Sequence, residues 1–65
     1  MSAHYRVDVL RWNGEDEVWE AVVYETSQHQ AKANALDRVI IYSGVRVVAV
    51  DATGGETILW EEATR

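Results

Sequence analysis

The chain has no cysteine, which excludes disulfides and thiolate metal sites and is compatible with a reducing cytoplasmic setting. Histidine is nearly as scarce. A metal site would have to bring His4 and His29 together with a carboxylate such as Asp8 or Asp51, and the scatter of these residues gives no reason to expect it. No metal or cofactor is therefore expected. Basic residues are also few: six against eleven acidic ones, a formal net charge of −5 that works against non-specific phosphate binding. No segment approaches the roughly 18 apolar residues of a membrane span. The start, "MSAHYRVDVL", lacks a basic region followed by an apolar run, so a cytoplasmic, soluble protein is expected.

Catalytic motifs are missing as well. Three Ser and four Thr face only the two His, and no G-x-S-x-G, P-loop, G-x-G-x-x-G or H-E-x-x-H pattern occurs. A chain of 65 residues leaves little room for a deep pocket. Enzymatic activity is not expected.

What is present is the material of a small core. The composition is 48% hydrophobic, with three Trp and three Tyr, far from that of a disordered chain. The length, residues 1–65, suits a single domain near the lower limit for folding without staples.

"HYRVDVLRW", residues 4–12, sets Tyr5, Val7 and Val9 on one side of an extended chain and Arg6, Asp8 and Leu10 on the other, the alternation of a strand. Asn13-Gly14 then gives a turn signal, and "EVWEAVVYE" from Glu17 to Glu25 reads as the second arm of a hairpin. An even loop would place Tyr5, Val7 and Val9 beside Val18, Val22 and Tyr24, and an odd one beside Trp19, Ala21 and Val23. The odd loop is preferred because it gives the cleaner apolar face.

Ser27 with Gln30 three residues on forms a capping-box pattern, Arg38 suits the far end of a helix dipole, and Gly44 can end a helix with positive φ. The expectation is a helix from Gln28 to Ser43 that buries Ala33, Leu36 and Ile40, with Val39 beside them. His29 and Lys32 fall on that side, one turn nearer the start, and either reach water beyond the sheet or form a polar contact site. "VRVVAVD" and "ETILWEE" supply two further strands joined by "ATGG".

The order β-β-α-β-β predicts an α+β fold, a four-stranded antiparallel sheet in spatial order 2-1-3-4 with one helix on one face. The strands carry more large apolar residues than one face can use, so the face opposite the helix is expected to be apolar and covered by something else. Leu10, Trp12 and Val22 are the candidate partner-binding residues there, together with Arg6 and Arg46. The arginines Arg6, Arg11 and Arg46 lie on the neighbouring first and third strands, where Arg6 and Arg46 share a face as a small positive patch, paired to Asp8 or Glu20. The acidic runs Glu15, Asp16, Glu17 and Glu61, Glu62 read as solvated ends, or alternatively as mimicry of nucleic acid toward a basic groove.

A hairpin, then "SQHQAKANALDRV" as the crossing helix, then two strands resembles small phage and mobile-element proteins such as anti-CRISPR proteins. A further resemblance is to the partial RNase H-like domain of HicB-type antitoxins, although the Gly-rich segment usual before their helix is missing here. These resemblances imply a non-catalytic protein-binding module, in particular a phage-type inhibitor or accessory protein acting by surface occlusion. They transfer no functional residue. The alternatives are a homo-oligomeric structural or antitoxin-like protein and a nucleic-acid-contacting module using the Arg patch. A protein partner is expected, and a homodimer through the face opposite the helix or through an edge strand with that face contributing, with nucleic acid and membrane not expected as partners.

Overall fold

A computed structural model describes residues 4–63. Four strands, β1 (His4–Trp12), β2 (Glu17–Glu25), β3 (Gly44–Val50) and β4 (Glu56–Ala63), and one helix, α1 (Gln28–Arg38), follow in the order β1-β2-α1-β3-β4. The sheet is antiparallel throughout, in the order β2-β1-β3-β4. The expected α+β architecture is therefore present. Its crossover carries the chain from the edge strand β2 over the sheet to β3, beside β1.

The hairpin loop differs from the preferred odd length. Trp12 lies opposite Glu17, leaving the four residues Asn13 to Asp16, and the Asn13 side chain accepts hydrogen bonds from the backbone N–H of Glu15 and Asp16 at 2.9 Å each. Gly14 takes φ 106°, which glycine adopts at little cost. An even loop alone would turn Val23 away from the core. The register shifts between Val7 and Asp8, however, so that Val7 faces Val23 while Asp8 faces Ala21 and Val22 is the extra residue. This β-bulge combines the two registers. Val23 packs on the core, and nearer the loop Trp19 stands opposite Leu10 on the other face.

The core between helix and sheet consists of Val7, Val9, Val45 and Val47 from the strands and Ala31 and Ala35 from α1. Tyr5, Val23, Val39, Tyr42 and Trp60 close its margins. The helix thus sits rotated from the sequence expectation: its inward stripe is Ala31 and Ala35, whereas Ala33 is exposed, Leu36 is 51% exposed and Ile40 89%. Four valines already fill the sheet side, so alanine methyl groups let the helix approach closely, and a leucine there would overfill the layer.

α1 also ends earlier than expected. Ser27 caps its start, with Oγ accepting from the Gln30 N–H at 3.4 Å. The end falls at Arg38, where the β-branched run Val39, Ile40, Ile41 is a poor continuation. The N–H groups of Ile41 and Tyr42 both bond to the Arg38 carbonyl. Gly44 is not the cap. Positive φ occurs only at Gly14 and Gly54 among the described residues, and Gly44 opens β3 opposite Leu10.

Candidate interaction surface

The sheet face away from α1 carries Arg6, Asp8 and Leu10 from β1, Trp19 from β2, Arg46 and Val48 from β3, and Glu56 and Ile58 from β4. Its middle is charged. Asp8 is 2% exposed and receives the Arg6 Nε at 2.7 Å and the Arg46 Nε at 2.8 Å. Arg6 also reaches across β3 to Glu56, with Nη1 and Nη2 donating at 2.7 and 3.1 Å. Its stem passes over the level of Val48 and Val50, and both are buried on a face that no helix covers. Long charged side chains act here as the second layer.

The same network sets the protonation behaviour. Hydrogen bonds donated to Glu56 and then to Asp8 hold the Arg6 guanidinium even more firmly protonated than usual. Its bond to Glu56 in turn lowers that carboxyl below the ordinary carboxylate range.

Trp19 completes the cover. From β2 it spans β1 and reaches β3, where the Arg46 guanidinium lies 4.3 Å from its ring centroid. A Cβ on Gly44 would come within 3.2 Å of the Trp19 ring and 3.0 Å of the Leu10 Cβ. Glycine at that position makes room for the indole.

The candidate partner-binding residues are therefore only partly assembled. Arg6, Arg46 and Leu10 share one face, and Trp12 continues the row beyond the reach of β3. Leu10 is half-buried beside Trp19, Trp12 is 65% exposed, and Val22 is a bulge residue of the edge strand, 36% exposed. Ion pairs and Trp19 occupy the middle of that face, while Trp12, Tyr24 and Ile58 are exposed along it. The Arg patch is likewise committed to carboxylates, since Arg11 pairs with Glu20 at 2.6 Å while Arg6 and Arg46 share Asp8.

A further set of exposed apolar side chains lies at the end of the sheet that carries the hairpin loop. The strand register brings Trp12, Val18 and the start of β3 to that end, and α1 delivers Leu36 there, with Ile40 and Ile41 in the turn that follows it. Ser43 ties the two parts together, donating to Glu17 Oε2 at 2.7 Å. An open depression of about 440 Å³ lies on the hairpin between Arg11, Trp12, Asn13, Val18, Trp19 and Glu20. Glu15, Asp16 and Asp37 fringe this end, as do Glu61 and Glu62 at the close of β4. Among the described residues none of these five is ion-paired.

At the helix entrance, Lys32 is half-buried with its Nζ 4.9 Å from the Trp60 ring centroid, a cation–π contact that joins α1 to β4. His29 is exposed in the first helical turn, and His4 lies on the other side of the sheet with its ring 6.1 Å from that of Tyr24. No group of metal-ligating side chains occurs among the described residues, and no helix among them is long and apolar enough to cross a membrane.

Side-chain size in the sequence points to Leu36 and Ile40 as core, and so hides the exposed aliphatic run. The signal that finds it is the alanine pair at i and i+4, Ala31 and Ala35, together with the β-branched run after Arg38. No protein-family model, curated protein or solved structure matches the chain.

Proposed function

We propose that the protein is a non-catalytic protein-binding module that docks through its hairpin end. The observation that carries this reading is the exposure of Leu36 in the last turn of α1 and of Ile40 and Ile41 in the turn after it; Trp12 is exposed at the same end of the sheet but on its opposite face. Isolated exposed aliphatics are ordinary, but Leu36, Ile40 and Ile41 exposed together at the end of the helix of a domain this small are the usual anchor chemistry of an interface. Burial of each contributes about 1.5 to 3 kcal/mol, so several are needed to offset the loss of translational and rotational freedom on association. A module of this size acts by covering a partner's surface, as a small inhibitor or accessory subunit does.

Site-directed photocrosslinking in the cells that make the protein tests the reading. A photoreactive residue at Ile40 or Trp12 is expected to capture a discrete partner, and one at Thr53, at the opposite end, is not. Equal capture at both ends, or none at either, would overturn the assignment of the surface.

A further inference from the structure

The partner's chemistry follows from what surrounds the exposed aliphatic side chains, and the inference rests on the docking reading above. Leu36 is exposed in the last turn of α1, and Ile40 and Ile41 are exposed in the turn that follows it, a short apolar run on which another helix can pack. The sheet edges offer no equivalent. Both carry a bulge, at Val22 in β2 and at Leu59 in β4, and bulges interrupt the regular row of N–H and C=O groups that an added strand requires.

Charge then selects the occupant. Asp37 lies beside Leu36 in the last turn of α1, where a carboxylate is unfavourable against the helix dipole. It has no ion-pair partner among the described residues, and neither do Glu15, Asp16, Glu61 and Glu62 at the same end. The cations at this end are engaged: Arg11 with Glu20, Arg38 with the Asn34 carbonyl at 3.0 Å, and Arg46, which stands opposite Glu61 in the register, with Asp8. A second copy of the chain would set these carboxylates against their own equivalents, at a formal net charge of −5 on each side. Nucleic acid and an anionic lipid surface are repelled for the same reason.

We infer that the hairpin end receives a basic amphipathic helix of a protein partner. Its apolar side chains pack on Leu36, Ile40 and Ile41, and its Lys or Arg side chains meet the carboxylate rim. In this arrangement the apolar contacts hold the complex while the rim selects the partner and speeds encounter.

Titration calorimetry with two synthetic helical peptides of about five turns, one of leucine and lysine and one of leucine and glutamate in the same pattern, tests the inference. The lysine peptide is expected to bind at least about tenfold more tightly than the glutamate peptide. The double change Ile40→Ala, Ile41→Ala should weaken it by about tenfold or more. The triple change Asp37→Asn, Glu61→Gln, Glu62→Gln should narrow the difference between the peptides, with circular dichroism confirming that each variant is folded.

Equal binding of the two peptides, with loss on Ile40→Ala, Ile41→Ala, would overturn the basic partner and leave the docking surface standing. No binding of either, with crosslinks still formed at Ile40, would do the same. Lysine-peptide binding that ignores both isoleucines and vanishes at high salt would be simple polyelectrolyte attraction and would overturn the helix-docking geometry. A dimer in analytical ultracentrifugation that Ile40→Ala, Ile41→Ala converts to monomer would give the surface to a second copy and overturn the proposal.

Discussion

The Arg46 guanidinium stacks 4.3 Å from the Trp19 ring centroid while its Nε donates to Asp8 at 2.8 Å, so one side chain joins an aromatic ring from the edge strand to a buried carboxylate. The arrangement depends on Gly44, where a Cβ would stand 3.2 Å from the indole and 3.0 Å from the Leu10 Cβ. Gly44→Ala is therefore expected to push Trp19 off its seat and destabilise the fold by about 1 to 3 kcal/mol, the range of overpacked sites. Urea unfolding measures the loss. A red shift of the Trp emission, reporting a wetter indole, should accompany it, and an unchanged midpoint would show that Trp19 yields without cost.

Asp8 is the second dependency. It is the acceptor for two guanidiniums and is 2% exposed, so Asp8→Ala leaves both arginines without their shared partner. Breaking a buried pair costs about 3 to 5 kcal/mol, and the low end is expected here because both arginine side chains retain contact with water. Asp8→Asn should cost less, since an amide oxygen still accepts one of the bonds. Chemical denaturation that ranks the two variants in the reverse order would contradict this account of the second face.

In the helix, the positions that matter are the small ones. Ala35→Leu is expected to destabilise by about 1 to 3 kcal/mol, because it must enter a layer already filled by Val7, Val9, Val45 and Val47. Leu36→Ala, at a side chain 51% exposed, should stay within about 1 kcal/mol of the parent. Thermal unfolding of the two variants separates the observed rotation of α1 from its opposite.

These helix positions also show where the sequence is legible. Strand alternation in β1, the Asn13-Gly14 turn and the Ser27 cap are local signals, and each locates its element correctly. The pairing of Arg6 and Arg46 with Asp8 is also legible, because alternation and strand order place all three on one face. The rotation of α1 is not local: it depends on how much volume the sheet already supplies, and a stripe of Ala33, Leu36 and Ile40 satisfies the helical period as well as Ala31 and Ala35 do. The bulge at Val22 is invisible for a similar reason. Apolar residues fill both alternations of β2, so either register satisfies the pattern, and only the packing of Val23 on one face and Trp19 on the other requires both.

Acid sensitivity gives the last test, and it falls on two exposed carboxylates at the end away from the proposed docking surface. Asp51 accepts from Thr53 Oγ1 at 2.7 Å and from the backbone N–H groups of Gly55 and Thr53 at 2.8 and 2.9 Å. These bonds, the hydroxyl's foremost, hold its carboxyl below the ordinary range. Glu56, the next strand's first residue, is lowered chiefly by its hydrogen bonds to Arg6. A carboxyl whose folded value is depressed contributes stability that is fully present above its unfolded value. That contribution is lost as the pH falls through the folded value, because the unfolded chain takes up the proton first. Urea midpoints followed from about pH 7 down to about pH 2 should therefore hold steady and then decline from the ordinary carboxylate range of about 4 downward. In the double variant Asp51→Asn, Glu56→Gln the decline should be shallower, since neither position titrates, while the amide oxygen that replaces the Asp51 carboxylate can still accept from the turn. An acid limb of the same slope in parent and variant would mean that the Asp51 turn and the Arg6–Glu56 bridge contribute nothing to the pH dependence of stability.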